Sequence, residues 1–261
     1  MRITKMNKDL KNHVEKALMQ NVRIDGRKND EFRKIKIETG VVATAEGSAK
    51  LTCGDTKIIA GVKLGIGTPY PDTPDAGVLM TGAELYPMSN PDFESGPPSS
   101  YAIEIARVID RGIRESKTID TKNLCIEAGQ KVWMVNVDIG PVNSDGNLID
   151  LGALAVMAAL KNAKFPELKD GVPDYKHLSK KSLPVSRTPV EITVHKIGKS
   201  LVVDLTHEEE KLSDARLTIA VLEDDTLCAM QKGGETPLTM EDIDSMIELA
   251  IKKSKELRKL L

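Results

Sequence analysis

Arg107, Arg111 and Arg114 stand at i, i+4 and i+7 in a segment with a helical pattern. That spacing places all three along one stripe of a helix. Guanidinium is a planar cation with several donors, and three on one stripe suit a run of phosphate groups. The same segment offers a local alternative. Glu104 precedes Arg107 by three residues, Asp110 precedes Arg114 by four, and Glu115 follows Arg111 by four. Ion pairs within the helix could absorb every one of these charges.

Other chemistry is hard to find. Gly198-Lys199-Ser200 has the end of a phosphate-binding P-loop, but that loop needs glycine at 193, where Thr193 stands. The stretch also joins two strand-like segments, so it reads as a hairpin turn. His207-Glu208 begins like a zinc-protease helix, yet position 211 is Lys211. The four histidines have no ligand spacing with Cys53, Cys125 and Cys228, so neither a metal site nor a cofactor is expected. No G-x-S-x-G elbow occurs. The cysteines are odd in number, widely spaced and set in apolar runs. They read as small core residues of a reducing compartment rather than a disulfide frame.

The elements that must carry these residues follow from periodicity. Residues 8–20 place Leu10, Val14, Ala17 and Leu18 on one face of an N-terminal helix. Residues 33–64 alternate and are broken by glycines, which predicts a meander of short strands. Residues 65–100 are rich in Gly, Pro, Asp and Ser and read as one long loop, a length that is often functional or bound to a partner. A helix at 101–116 buries Ile105, Val108, Ile109 and Gly112. Strands at 124–140 precede a small-residue helix at 150–163. The polar, basic stretch 164–187, with Pro166, Pro173 and Pro184, reads as a linker. Strands at 190–197, 201–205, 216–223 and 226–230 follow. A last helix runs from Thr239, capped with Asp242, to Leu261, with Ile243, Met246, Ile247 and Ala250 as its apolar stripe. The order predicts an α+β protein in two similar halves.

Charge is uneven along the chain although the net charge is only -2. Residues 1–37 hold eleven Lys/Arg against five Asp/Glu, whereas residues 68–100 hold five acidic residues and no basic one. Such asymmetry fits surfaces that face different partners. Aromatic residues are only 3% of the chain, which disfavours a platform of stacked bases. The N-terminus lacks the apolar stretch of a signal peptide, and no window is apolar enough to span a membrane. A cytoplasmic protein without membrane association is expected.

Four segments together resemble one family. They are Val22-Arg23-Ile24-Asp25-Gly26-Arg27; Glu46-Gly47-Ser48-Ala49-Lys50 with Gly54-Asp55-Thr56-Lys57; Ser144-Asp145-Gly146-Asn147; and Asp204-Leu205-Thr206 with Glu208-Glu209-Glu210. In this order and at these spacings they resemble the RNase PH family of phosphorolytic 3′-to-5′ exoribonucleases, over about residues 8 to 260. Within the family the chain is most similar to the non-catalytic RNase PH-type ring subunit of the archaeal exosome. Ala229-Met230-Gln231-Lys232-Gly233-Gly234 adds to that likeness.

The resemblance implies an RNase PH-like fold of two βαβα-type halves, similar to ribosomal protein S5 domain 2. The N-terminal helix would occupy 1–21, the first half 22–166, a linker 167–187 and the second half 188–261. It also implies a reaction in which inorganic phosphate attacks the last phosphodiester bond of RNA. Two anions must meet, so cations, hydroxyl donors and a carboxylate pair are needed.

Active members carry an Arg-Arg pair where this chain has Ser100 and Tyr101. They carry a Ser/Thr-Arg pair where it has Leu148 and Ile149. Of their two aspartates, it matches Glu210 and Arg216. The resemblance therefore implies a silent member with no catalytic residue of its own. Its partners would be an active RNase PH-type subunit, in three heterodimers forming a hexameric ring, S1/KH-type cap subunits on one face, and single-stranded RNA. Arg107 and Arg111 match the family's RNA-contacting arginines best, with Arg114 beside them. Two alternatives stay open: an active phosphorolytic exoribonuclease with unusual site residues, and a free RNA-binding module.

Overall fold

The computed structural model describes residues 5–169 and 171–261. Two antiparallel-rich sheets enclose a pair of helices. The first sheet runs in the order β1 (Ile35–Thr39), β2 (Gly47–Cys53), β3 (Thr56–Gly67), β6 (Lys131–Asn143) and β4 (Val78–Ala83), with β5 (Cys125–Glu127) also paired to β6. β4 runs parallel to β6 and the other neighbours are antiparallel. The second sheet has the order β10 (Ser200–Val203), β9 (Val190–Ile197), β11 (Ala215–Val221) and β12 (Leu227–Gly233).

Between them lie α2 (Ser100–Glu115) and α3 (Leu148–Asn162). α3 packs on β2 and β3 from one sheet and on β9 from the other. Covered on both sides, it is buried from Leu148 through Leu160. A helix placed so must be apolar all round, which explains its run of Ala, Gly and Leu. The last helix, α5 (Met240–Arg258), packs on β9 and β11. Its Thr239–Asp242 capping box forms as the sequence predicts.

Strand alternation in β9 positions the site. All of its residues except Lys196 are buried. Ile192 and Val194 join the apolar core, and Lys196 pairs with Asp242 of α5 at 2.5 Å. The opposite face carries Glu191, Thr193 and His195, which look toward α2 and α3. Thr193 bonds Asp150 of α3 through both its N–H (2.9 Å) and its hydroxyl (2.6 Å). Glu191 comes so close to α2 that a Cβ at Gly112 would meet its Oε1 at 2.0 Å. Any larger residue there would have to push the Glu191 carboxylate aside.

Three expectations change. The 65–100 stretch contains β4, because Val78, Leu79 and Ala83 find a buried place beside β6. The 164–187 stretch is no bare linker. It folds as a hairpin of β7 (Lys164–Lys169) and β8 (Val172–Ser182), anchored where Phe165 meets Trp133 at 5.0 Å between ring centroids. In α1 (Lys5–Met19), Val14 and Leu18 are buried but Leu10 lies in solvent. The remaining elements fall within a few residues of the predicted bounds. Cys53, Cys125 and Cys228 are all free. Burial and Asp204 push the Cys53 thiol up to about 12, so it stays protonated and inert.

Candidate nucleic-acid and phosphate site

The four sequence segments that stand out by their motifs meet in one knot. Arg23 grips Glu209 with two donors and reaches the carbonyls of Val203 (2.9 Å) and Asp204 (2.8 Å). Arg33 holds Asp204 through Nη2 (2.8 Å) and Nε (3.0 Å), Arg27 adds a third contact at 2.8 Å, and Asn147 Nδ2 a fourth at 2.8 Å. Burial alone would raise the Asp204 carboxyl, but the Arg33 hydrogen bonds and charge outweigh it and hold it below its usual value. Thr56 ties the second segment to the third, donating to the Gly146 carbonyl at 3.0 Å and accepting from Asp145 N–H at 3.1 Å. At Gly146, φ is +79° and a Cβ would meet the Leu205 carbonyl oxygen at 2.5 Å. These motifs therefore join the two halves. Arg23 and Arg27 are taken up by carboxylates there and are not left free for a substrate's phosphate.

Beside the knot opens a cavity of about 140 Å³. Tyr101, Ile149, Glu210 and Arg216 all line it, so four positions from the three matched pairs converge in space. Ser100 and Leu148 do not join them: Ser100 is exposed at the start of α2, and Leu148 is buried in the core. The cavity's chemistry is closed in on itself. Arg216 is already paired with Glu104 of α2 at 2.7 Å. Glu210 accepts the Asn147 N–H at 2.8 Å, just ahead of α3, where a helix N-terminus favours an anion. Burial raises the Glu210 carboxyl above its usual range, against the pull of that N–H. His195 shares a 3.0 Å hydrogen bond with Ser213. Burial, with Arg216 and Arg23 nearby, lowers it to about 3, so it is neutral at physiological pH.

Three consecutive glutamates meet three different fates here. Glu208 is exposed against Lys211, Glu209 is buried against Arg23, and Glu210 turns into the cavity. The four-residue helix α4 (His207–Glu210), capped by Thr206 and Glu209, sets those directions.

The arginine stripe also divides. Arg107 is exposed and meets no ion partner among the described residues, because Glu104 has gone to Arg216. Arg114 pairs with Asp110 at 3.0 Å, as its spacing predicts, and also reaches the Leu79 carbonyl. Arg111 is half-buried, bonds Gln231 of β12 and leaves Nε buried without a partner. It helps seat α2 on the second sheet. Nearby, burial, the Asp150 charge and an opposing Arg111 leave the Glu191 carboxyl at about 8, while burial lifts Asp150 to about 7 against its bonds from Thr193. No group of three His, Cys, Asp or Glu among the described residues could hold a metal ion. Among the described residues no helix is long and apolar enough to cross a membrane.

Residues 31–166 match the 3′ exoribonuclease family, domain 1, and residues 188–253 match domain 2 of the same family. The chain belongs to the RNase PH family. Among its RNase PH relatives is the exosome complex component Rrp42 of Thermoplasma acidophilum, 46% identical over 248 residues that cover 95% of this chain and 93% of that one. The Rrp42 component of Methanothermobacter thermautotrophicus is 47% identical over 237 residues, covering 90% and 88%. A chain in the structure of an Archaeoglobus fulgidus exosome with RNA bound to the active site superposes with a TM-score of 0.89. It shares 46% identity, with 96% of this chain and 97% of that chain covered. The RNase PH fold, with its two sheets and added N-terminal helix, is therefore the frame on which the cavity sits.

Proposed function

We propose that this chain is a non-catalytic ring subunit of an archaeal exosome. It pairs with an active RNase PH-type subunit, helps shape that partner's active site and contributes to holding single-stranded RNA during 3′-to-5′ degradation. The heterodimer repeats three times in a hexameric ring, and S1/KH-type subunits cap one face. The relatives named as exosome components support the setting. The chain itself is no enzyme. The observation that carries this reading is the cavity over Glu210. A carboxylate sits on the N–H ahead of α3, Ile149 offers no donor side chain, and the one arginine is neutralised by Glu104. Each preorganised donor missing from such a site costs on the order of 3 kcal/mol of transition-state stabilisation.

Among the stripe arginines, Arg107 is the best placed to meet RNA, because its charge is free in solvent. Arg111 and Arg114 act beside it from the same helix while already engaged at home. The test is reconstitution. The chain, an active RNase PH-type partner and their mixture are sized by light scattering and given a 3′-tailed RNA with inorganic phosphate. The mixture should assemble and degrade RNA faster than the partner alone. A mixture that neither assembles nor gains activity would remove the subunit reading.

A further inference from the structure

Next to the cavity, and sharing Tyr101 and Glu210 with it, runs an open groove of about 910 Å³. That is the size of a site for a large ligand or several residues of peptide. Its wall is the segment from Ala83 to Ser99, which contains no Lys or Arg. Tyr86, Phe93 and a line of prolines give it flat apolar sides, and Glu84, Asp92 and Glu94 give it charge.

These carboxylates are unevenly satisfied. Asp92 already faces His207 at 3.0 Å and Lys211 at 3.7 Å. Glu84 accepts only the Tyr86 hydroxyl, and Glu94 meets no partner among the described residues. The excess charge is felt behind the wall as well. Partial burial and the neighbouring Glu84 push the Asp138 carboxyl above its usual range. Glu84 and Glu94 thus hold negative charge that no cation among the described residues neutralises, beside aromatic faces that attract cations.

We propose that this groove receives an extended, arginine- or lysine-bearing segment of the active partner subunit. The inference rests on the ring-subunit reading. Charge decides the occupant. RNA phosphates would be repelled by Glu84 and Glu94. A metal ion finds no three converging ligands among the described residues. A guanidinium can pair with a carboxylate and stack on Tyr86 or Phe93 at once. The groove would then fix the register of the two subunits, with Glu84 and Glu94 as the acidic anchors.

The test is carboxylate footprinting. Carbodiimide and glycine ethyl ester label exposed carboxylates on the chain alone, on the chain with the active RNase PH-type subunit, and on the chain with a single-stranded RNA. Glu84 and Glu94 should become protected only in the protein complex. The double variant Glu84→Lys/Glu94→Lys should weaken pairing by on the order of tenfold or more, with Glu84→Gln/Glu94→Gln in between. Both residues are exposed, so all variants should keep the wild-type melting temperature. If the complex forms but both carboxylates label as in the free chain, the groove assignment is wrong while the subunit reading stands. Protection by RNA alone also overturns it. If no complex forms, the subunit reading fails and the groove assignment falls with it.

Discussion

The knot around Asp204 and the cavity over Glu210 are adjacent, and both are rich in Arg and Glu. In the knot the charges are buried or nearly so and bonded to specific opposites: Arg23 to Glu209, and Arg27 and Arg33 to the buried Asp204. In the cavity Arg216 and Glu104 are partly exposed and paired across elements, and Glu210 is set against a backbone N–H. The first arrangement holds the fold together. The second can change without disturbing it. The motifs by which the family is recognised therefore lie in the joint between the halves, and the lining of the cavity is set apart from them.

The sharpest way to break this comparison is to remove one arginine from each region. Arg23→Ala leaves Glu209 buried and unpaired, and should cost about 3–5 kcal/mol by denaturant unfolding. Arg216→Ala loses a partly exposed pair and should cost below about 1 kcal/mol. Equal losses would show that the two regions do not differ as described.

Next in size is the pH response of the buried carboxyls between α2, α3 and β9. Glu191 at about 8 and Asp150 at about 7 lie above their unfolded values, so the folded chain holds protons that the unfolded chain releases. Their contribution is complete below pH 4 and is lost as pH rises through 7 and 8. Each such group lowers stability by about 1.4 kcal/mol per pH unit within its window. Glu191→Gln should flatten the fall in melting temperature between pH 5 and pH 8. An unchanged slope would mean that Glu191 is ionised in the folded chain.

The smallest effect separates the arginines of α2. Arg107→Glu should weaken RNA binding by the assembled ring and reduce its salt slope by about 1 or more, with the melting temperature unchanged. Arg111→Glu should lower the melting temperature, since it places a carboxylate beside Glu191 and breaks the Gln231 contact. If both variants act only on RNA binding, Arg111 belongs with Arg107 on the RNA side.

Much of this was legible in the residues. The capping box at Thr239, the largely apolar α3 and the convergence of positions 101, 149, 210 and 216 follow from period, composition and resemblance. Other features were hidden for physical reasons. β4 is short and lies in a stretch of Pro and Gly, and its strand state comes from the vacancy beside β6 and not from propensity. The hairpin of β7 and β8 looked like a linker because most of its residues face solvent. Glu208, Glu209 and Glu210 are identical in type, so only the tertiary frame separates a surface ion pair, a buried lock and a cavity wall. Arg107 and Arg111 are likewise equivalent on a helical wheel, and β12 decides which of them is free.

The most direct test of the proposed non-catalytic role uses the chain by itself. A 3′-tailed RNA and inorganic phosphate are incubated with the purified chain, and nucleoside diphosphates are followed over time. With Glu210 seated ahead of α3 and Arg216 held by Glu104, no phosphate-dependent release above background is predicted. Steady release of nucleoside diphosphates that stops when phosphate is omitted would contradict this, and would make the chain an exoribonuclease in its own right.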